Sequence, residues 1–567
     1  MRFPAFVFLG WLAALHPAVH AAPPPFDFLY PAGGQVGTTV SVTAGGKHES
    51  WPPGIWCSDP ALKVSASEEK GTLQIEIPAD MPAGPCHIRL YNDDGASLLR
   101  CFMVGRIPET RDQEPNDALE KAQALSDWPV TVNGRLNKEG DTDSFQVVLE
   151  ADQWLVASVD AYSLDSPVDP LLQLLDAAGT QMAFNHDRHA LDPALMFQST
   201  QAATYTIQLS AFAFPPKADI RLTGGDDCVY RLTLHKGPVG DYLFPQAIQR
   251  GHREVLHLHG WNLGTPSGVT SVEVDATTTT AAEDHLTVTV PGGHTELTVR
   301  LSDWPEVREL EPNNAPPESQ PVLLPASING RIDAPHDRDN FRFNATKGEA
   351  LLFRVESQNL GFPLDAVLTL FDDADKQLAE SDDTGKKSDP ELKWTAPADG
   401  TFRVEIRDLL DRGGNNFVYR LECAHPVPGF EAEVLADAVV VKPGESAELK
   451  LKVTRSNGFD GSLAVLLDGL PEGVSSTSAS VPVKGGELTL SVQATKECKP
   501  ANLPIHALVV STDPAQPAAQ FVAATLKGKN SAAGHLVLNQ SQQIWLTVPP
   551  KPPEPEEKPT EPPPPTP

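Results

Sequence analysis

Apolar and polar residues alternate with a period of two along most of this chain. The stretches SFQVVL at 144–149, TYTIQL at 204–209 and TFRVEI at 401–406 are clear examples. Successive side chains of a β-strand point to opposite faces of a sheet, so this period predicts half-buried strands. Only residues 119–125 suggest a helical turn. Short strands separated by turn residues predict an all-β protein, a string of antiparallel β-sandwich domains of jelly-roll and immunoglobulin-like type.

Two stretches of the chain carry the same short motifs in the same order. The first reads EPND at 114–117, NGR at 133–135, DTDSF at 141–145 and VYRL at 229–232. The second reads EPNN at 311–314, NGR at 329–331, DRDNF at 337–341 and VYRL at 418–421. Ordered matches over more than a hundred residues indicate an internal repeat.

On these motifs, both stretches resemble the bacterial pre-peptidase C-terminal domain family. This family is a secreted β-sandwich module, similar to the collagen-binding domains of clostridial collagenases. The resemblance covers residues 108–236 and 306–424 and implies two tandem copies. Such modules accompany many different exported proteins, so the resemblance implies a fold and not an activity.

The remaining segments complete a predicted domain plan, since 567 residues are too many for one core. The segments 22–107 and 237–303 look like immunoglobulin-like domains, the smaller second one of the IPT/TIG type, and the loop LPEGV at 470–474 resembles one in bacterial immunoglobulin-like domains. The plan is a signal peptide at 1–21, an immunoglobulin-like domain at 22–107, a family-like sandwich at 108–236, the small domain at 237–303, a second family-like sandwich at 304–424, an immunoglobulin-like sandwich at 425–548 and a disordered Pro/Glu-rich tail at 549–567. We expect the five folded modules to form an elongated string.

The first 21 residues predict export. Arg2 precedes an apolar run at 6–15, which is too short to span a bilayer, and the small residues Val19 and Ala21 suit a cleavage site. The alternative is an anchor that is not cleaved. No later stretch is apolar enough to cross a membrane. The predicted location is therefore secreted, periplasmic or at the cell surface.

The chain is strongly acidic, with 75 Asp and Glu residues against 44 Lys and Arg and a formal net charge of −31. This charge argues against nucleic acid, which needs basic patches, and against an anionic membrane surface. It favours affinity for cations. The expected partner is an extracellular protein or a polysaccharide.

The best chemical site is an acid-rich leader at the start of each repeat, because calcium prefers carboxylate and amide oxygens. The candidate ligands are Asp112, Glu114, Asn116, Asp117, Asp141 and Asp143 in copy one and Glu309, Glu311, Asn313, Asn314, Asp337 and Asp339 in copy two. The resemblance implies the same cofactor, since calcium binds this leader in collagenase-type relatives. Copy one is favoured because Asn314 replaces the charge of Asp117. The alternative is a solvated acidic linker with Asn capping a turn.

Six cysteines occur without a CxxC pair, which argues against a structural zinc site. Cys86 and Cys101 flank the turn sequence NDDG, so they are the disulfide candidates, although sequence alone does not fix the pairing. His257 and His259 form an HxH motif with no evident third ligand, which favours an ordinary surface or core pair over zinc.

No catalytic motif is present, since the chain lacks HExxH, a GxSxG elbow and a Walker loop. We therefore predict a non-enzymatic exported binding or scaffold protein. The alternative is an accessory subunit or an unusual member of a secreted hydrolase, because the family module often accompanies peptidases. Some tryptophans are candidates for stacking on sugars or proteins, although a core position is commoner for each one. They are Trp51, Trp56, Trp128, Trp154, Trp261, Trp304, Trp394 and Trp545.

Overall fold

The computed structural model describes residues 22–188, 191–218, 220–264, 268–280, 283–383, 389–513, 519–526, 536–537 and 540–551. The predicted signal peptide and most of the predicted Pro/Glu-rich tail lie outside these residues. The described residues form 47 strands and four short 3-10 helices, and none of them lies in an α-helix. No helix in the described ranges has the length and apolar character to cross a bilayer. The prediction of an all-β protein built from sandwiches is confirmed.

The first sandwich packs a sheet in the order β1-β3-β6-β5 against a sheet in the order β2-β9-β7-β4. Its alternating positions Val42, Leu73, Ile75 and Ile88 are fully buried between the two sheets. Its strands are β1 (Leu29–Tyr30), β2 (Gly33–Gln35), β3 (Thr39–Ala44), β4 (Gly54–Cys57), β5 (Lys63–Ala66), β6 (Thr72–Glu76), β7 (Gly84–Asn92), β8 (Gly95–Ala96) and β9 (Arg100–Gly105).

The second sandwich has two five-stranded sheets, β10-β12-β19-β14-β17 and β11-β13-β18-β15-β16. Two 3-10 helices, Leu119–Lys121 and Tyr162–Leu164, complete it. Its strands are β10 (Glu109–Arg111), β11 (Gln123–Ala124), β12 (Val130–Arg135), β13 (Asp143–Leu149), β14 (Trp154–Asp160), β15 (Val168–Leu175), β16 (Gln181–Asn185), β17 (Ala194–Gln198), β18 (Ala203–Ala213) and β19 (Val229–His235).

The third sandwich is the smallest, with the three-stranded sheets β20-β22-β23 and β21-β25-β24. Leu256 and Leu258 on β22 are fully buried in its core. Its strands are β20 (Val239–Phe244), β21 (Ala247–Gln249), β22 (Arg253–Trp261), β23 (Val269–Asp275), β24 (His285–Thr289) and β25 (Glu296–Ser302).

The fourth sandwich repeats the strand order of the second, with the sheets β26-β28-β35-β30-β33 and β27-β29-β34-β31-β32. Its 3-10 helices are Pro316–Glu318 and Gln358–Leu360. Its strands are β26 (Glu306–Arg308), β27 (Gln320–Pro321), β28 (Ala326–Arg331), β29 (Asp339–Ala345), β30 (Ala350–Glu356), β31 (Ala366–Asp372), β32 (Gln377–Ser381), β33 (Glu391–Thr395), β34 (Gly400–Asp408) and β35 (Val418–Ala424).

The fifth sandwich has the sheets β40-β42-β38-β36-β45-β46 and β37-β47-β43-β39-β41, with β44 beside β43. Leu449, Leu451 and Val453 alternate inward along β38, as their spacing predicts. Its strands are β36 (Gly429–Val434), β37 (Ala438–Val440), β38 (Ser446–Ser456), β39 (Leu463–Asp468), β40 (Val474–Ser476), β41 (Ala479–Ser480), β42 (Gly486–Ala494), β43 (Ala501–Ser511), β44 (Ala519–Phe521), β45 (Ala523–Thr525), β46 (Gln540–Ser541) and β47 (Ile544–Val548).

The sandwiches are not purely antiparallel. In the second, β10 pairs with β12 and β11 pairs with β13 in parallel, and β26 and β27 do the same in the fourth. Each acid-rich leader therefore runs alongside strands that follow it in the sequence, which places its ligands against the start of β13 or β29.

The first and fifth sandwiches touch, so the chain closes on itself. Arg89 Nη2 lies 2.7 Å from Asp437 Oδ2 and the Arg89 side chain is 2% exposed. The buried Trp545 ring packs against Tyr91 and Trp56, with centroid distances of 5.0 and 6.0 Å. This arrangement differs from the expected elongated string, because the side chains that make the contact lie outside both cores and carry no periodic signal.

One polar junction occurs twice, where the first sandwich meets the second and where the third meets the fourth. A Cβ at Gly33 of the first sandwich would lie 2.0 Å from Arg231 Nη1, and Arg420 Nη2 donates to Ser302 Oγ of the third at 3.3 Å. Arg231 Nη2 lies 2.8 Å from Glu109 Oε1, and Arg420 Nη2 lies 2.7 Å from Glu306 Oε1, with all four side chains under 10% exposed. The Asn of each NGR motif supports its acid, since Asn133 Nδ2 donates to Glu109 Oε2 at 2.7 Å. The shared VYRL and NGR motifs thus build the same junction twice.

Candidate metal centres

Each acid-rich leader folds back onto its own module through backbone hydrogen bonds. The Asp112 N–H donates to the Asn133 carbonyl at 3.1 Å, and the Glu309 N–H donates to the Asn329 carbonyl at 3.0 Å. Further along, the Ser144 N–H donates to the Asn116 carbonyl at 3.2 Å. These bonds bring the leader against the first residues of β13, where the DTD motif begins.

In copy one this fold-back assembles two overlapping groups of carboxylates. Ligand atoms of Asp112, Glu114 and Asp143 lie within 4.8 Å of one another, and so do those of Glu114, Asp117 and Asp141. Asp141 and Asp143 are fully buried, whereas Glu114 and Asp117 are exposed. The five predicted acids of copy one therefore form one continuous cluster around Glu114.

The sixth predicted ligand of copy one, Asn116, is fully buried beside these acids. With its amide nitrogen toward them, it donates to Asp143 Oδ1 at 3.0 Å and Glu114 Oε2 at 3.2 Å. With its amide oxygen toward them, it adds a neutral ligand of the kind that calcium accepts.

The electrostatics of copy one favour a bound cation. Burial raises the pKa of Asp143 to about 8, and the charges of Asp112, Asp141 and Glu114 add to the rise, while a hydrogen bond from Tyr230 opposes it. Burial likewise raises the pKa of Asp112 and of Asp141. Carboxylates that repel one another in a buried place gain most from a cation between them.

A lysine already neutralises one side of copy one. Lys138 Nζ lies 3.1 Å from Asp117 Oδ2 and 3.4 Å from Asp141 Oδ1, and it lowers the pKa of Asp117. The matching position of copy two is Ala334. The expected advantage of copy one rested on the charge of Asp117, and Lys138 offsets that charge.

Copy two assembles a smaller group of three carboxylates. Ligand atoms of Glu309, Glu311 and Asp339 lie within 4.8 Å of one another. Burial raises the pKa of Asp339 well above its usual range, with the charge of Glu309 adding to the rise. Burial also raises the pKa of Glu309 to about 8.

Polar atoms of copy two are left without partners. Asn313, which matches Asn116, is fully buried, and neither polar atom of its side chain makes a hydrogen bond within the described residues. The same holds for Asp339 Oδ1. Buried polar groups are normally satisfied, so these oxygens fit the ligands of a hard cation.

Two predicted ligands of copy two lie outside this group. Asp337 Oδ2 accepts from the Asp333 N–H at 2.7 Å, and Asp337 Oδ1 accepts from the Arg338 N–H at 3.0 Å, so Asp337 stabilises its own turn. The exposed Asn314 amide lies against Asp337. The sequence pattern did not distinguish these turn residues from Asp339.

A buried tyrosine in each module is a site residue that the sequence reasoning missed. Tyr230 donates to Asp143 Oδ2 at 2.5 Å and Tyr419 donates to Asp339 Oδ2 at 2.6 Å. The signal was available, since both tyrosines belong to the repeated VYRL motif. A Cβ at Gly134 would lie 2.0 Å from the Tyr230 ring, so the glycine of the NGR motif makes room for this tyrosine.

The other sequence candidates do not form a joint site. Cys86 pairs across β7 and β9 with Phe102 in the core, whereas Cys101 pairs with His87, so the two sulfurs face opposite sides of the sheet. No disulfide joins Cys86 to Cys101. His257 is exposed, and the ring of His259 stacks on Tyr242 with a centroid distance of 4.5 Å.

Comparison with known proteins leaves the family open. No protein-family model matches the chain, and no curated protein matches it. Among solved structures, the pre-peptidase C-terminal domain of a collagenase from Bacillus anthracis is 18% identical with a TM-score of 0.17, covering 20% of this chain and 99% of that one. Tripeptidyl peptidase 2 is 10% identical with a TM-score of 0.15, and the match covers 94% of this chain and 40% of that one. Fibronectin(III)-like modules of CbhA from Clostridium thermocellum are 15% identical with a TM-score of 0.12, and the match covers 32% of this chain and 87% of that one. With TM-scores this low the similarities carry no argument, so the β-sandwich fold rests on the strand order, and two family copies stay a proposal.

Proposed function

We propose that this chain is an exported, non-enzymatic binding or scaffold protein in which calcium fixes the junctions between β-sandwich modules. Its partner would be an extracellular protein or a polysaccharide, met in the medium, the periplasm or at the cell surface. The observation that carries the proposal is the position of the acid clusters. Each one lies where an immunoglobulin-like sandwich meets the module after it.

At the first junction, a bound cation would act on both modules. Tyr30 of the first sandwich donates to Asp112 Oδ1 at 2.5 Å, while Asp112 belongs to the acid cluster of the second. A cation that orders Asp112 therefore also orders Tyr30. This link ties the metal site to the angle between two modules.

The second junction has a comparable link through an arginine. The Arg331 N–H donates to Glu309 Oε1 at 2.8 Å in the acid cluster of copy two. The charge of the same Arg331 acts on Tyr242 of the third sandwich and opposes the rise that burial gives its pKa. Copy two thus also joins its acids to the preceding module.

The burial of the central acids supports a structural role for them. Asp143 and Asp339 are fully buried and hydrogen-bonded to buried tyrosines. A general acid or base must reach its substrate within hydrogen-bond distance. Acids enclosed in this way suit cation binding and not turnover.

Calcium titration calorimetry on the chain without its predicted signal peptide tests the proposal. We expect saturable binding, with one component lost in Asp143→Asn and another in Asp339→Asn. The control is Asp373→Asn, an exposed acid in the turn between β31 and β32, which should leave both components unchanged. Small-angle scattering should show a narrower range of shapes with calcium than without it. Absence of heat together with unchanged scattering would reject calcium-fixed junctions.

A further inference from the structure

A cleft of about 800 Å³ lies where the second, third and fourth sandwiches meet. The second contributes Trp154 and Gln198 to its lining, the third contributes Trp261 and Asn262, and the fourth contributes Asn416. With Asn415, also of the fourth sandwich, three separate modules supply two indole rings and four side-chain amides to one concave surface.

The two tryptophans are not core residues of their modules. Trp154 and Trp261 are half-buried, and neither belongs to the hydrophobic core of its sandwich. By contrast, Trp128 packs against the core of the second sandwich and Trp394 against that of the fourth. The hydrophobic cores of the second and third sandwiches thus do not account for Trp154 or Trp261.

The internal repeat gives an independent check on this point. Trp154 opens the pairing of β14 with β17, and Ala350 holds the same position in the pairing of β30 with β33. Counting from the Tyr30-Pro31 and Phe244-Pro245 pairs, the position of Trp261 matches Lys47 in the first sandwich. The matched positions hold Ala350 and Lys47, so the fold of a module does not require either indole.

The rest of the cleft wall is polar and held in place. Arg188 pairs with Asp241, and its guanidinium carbon lies 5.1 Å from the centre of the Trp261 ring. Tyr242 stacks on His259 and donates through its hydroxyl to the Asn415 carbonyl at 2.5 Å. These contacts join the three modules along the wall of the cleft, so the surface is preformed.

This combination selects among classes of ligand. The lining of the cleft consists mainly of aromatic and polar groups, and Met196 is its one long aliphatic side chain. An apolar peptide would find few aliphatic partners there. The net charge of −31 opposes phosphate-rich ligands. Aromatic faces for stacking, with amides that both donate and accept, match the C–H faces and hydroxyl edges of a pyranose.

We infer that this cleft binds a neutral oligosaccharide, with Trp154 and Trp261 stacking on sugar rings and the amides bonding their hydroxyl groups. The inference rests on the proposed function and names the class of its ligand. It does not depend on the acid clusters, because the cleft and the clusters share none of their named residues.

Binding of hexasaccharides to the chain without its predicted signal peptide tests the inference. The probes are cellohexaose, laminarihexaose, xylohexaose, mannohexaose and chitohexaose. Their binding is measured by tryptophan fluorescence and by calorimetry, with calcium present. We expect saturable binding of at least one probe, weakened tenfold or more by Trp154→Ala and by Trp261→Ala. The control Phe521→Ala removes an exposed aromatic ring of the fifth sandwich and should leave the affinity unchanged.

The thermal unfolding midpoint of each variant checks that it is folded. If an alanine variant is destabilised, Trp154→Phe or Trp261→Phe replaces it. The phenylalanine variants should lose less sugar affinity than the alanine variants. Absence of binding for all five sugars overturns the inference, and so does binding that survives both tryptophan substitutions. Calcium binding that persists in either case leaves the calcium-fixed junctions standing. Sugar binding without any calcium heat would instead remove the calcium part of the proposed function and keep the cleft.

Discussion

At the scale of single residues, the second and fourth sandwiches each contain a buried tyrosine whose ring packs over a glycine. Tyr230 reaches Asp143 across Gly134, and Tyr419 reaches Asp339 across Gly330. The tyrosine hydroxyl gives a buried acid a hydrogen-bond donor, and the missing Cβ of the glycine makes that approach possible. The two motifs NGR and VYRL are thus two halves of one contact.

Gly134→Ala should destabilise the second sandwich. The new Cβ would lie 2.0 Å from Tyr230 Cζ, inside a fully buried site, so the ring or the strand must move. Overpacking of this kind lowers the free energy of unfolding by about 1–3 kcal/mol. Urea denaturation of the variant and of the unsubstituted chain measures this loss. The control Gly237→Ala places its Cβ in open space and should change stability by no more than about 0.5 kcal/mol. Equal stability of the two variants would contradict the role given to Gly134.

His235 should make stability fall in mild acid. Burial lowers its pKa from 6.5 to about 4, with the charge of His294 adding to the effect. At a pH between these two pKa values, the histidine is protonated in the unfolded chain and neutral in the folded chain. The free energy of unfolding therefore rises as the pH rises from about 4 to 6.5. The slope from one group is at most about 1.4 kcal/mol per pH unit.

The test compares thermal midpoints at pH 5 and pH 7. His235→Gln should reduce the difference seen in the unsubstituted chain, whereas His257→Gln, at an exposed histidine, should leave it unchanged. An unaltered difference in the His235 variant would mean that other groups govern the acid sensitivity.

At the scale of elements, the leader strands set the geometry of both junctions. β10 pairs in parallel with β12 and presents Glu109 to Arg231, and β26 does the same with Glu306 and Arg420. A buried arginine that loses its acid is left as an uncompensated charge, which is costly. The pair therefore makes the junction sensitive to a single substitution.

Glu109→Gln should destabilise the chain by about 3–5 kcal/mol in urea denaturation, because Arg231 stays buried without its counter-charge. Adding Arg231→Met should recover part of that loss. The matched control is Glu76→Gln, which breaks the exposed pair with Lys63 in the first sandwich and should cost no more than about 1 kcal/mol. Similar losses in both Gln variants would mean that the junction pair acts like a surface pair.

Sequence patterns predicted the strands and the repeated motifs, because half-buried strands impose a period of two on their residues. The structure brings the predicted acids Asp112, Glu114 and Asp143 close together, and their use as calcium ligands stays a prediction. The parallel pairing of the leaders was missed, since two- and three-residue strands are too short to show a period. Tyr230 was missed because its partner is 87 residues away.

At the scale of the whole molecule, the contact between the first and fifth sandwiches defines the arrangement. The residues of this contact lie outside the alternating core positions, so the sequence pattern did not predict it. They are Arg89, Trp56, Asp437 and Trp545. Arg100 adds a buried pair with Asp165 of the second sandwich at 2.5 Å. The first sandwich is thus fixed on two sides.

Asp437→Arg should open the contact with the fifth sandwich. It sets a second guanidinium against the buried Arg89, and like charges in a desolvated place repel. Small-angle scattering should show a larger maximum dimension than for the unsubstituted chain. The control Asp468→Arg makes the same change at an exposed position of the fifth sandwich and should leave the dimension unchanged. An unchanged dimension for Asp437→Arg would show that the remaining contacts suffice.

The closed contact also has a mechanical consequence. A force that pulls residue 22 away from residue 548 meets the interface around Trp545 first, because the first and fifth sandwiches touch directly. The second sandwich shares that load, because Asp165 pairs with Arg100 of the first sandwich and the Ser163 carbonyl accepts from the Val537 N–H. A chain anchored to a surface at one end and to a ligand at the other would therefore take up tension first at the contacts between its modules.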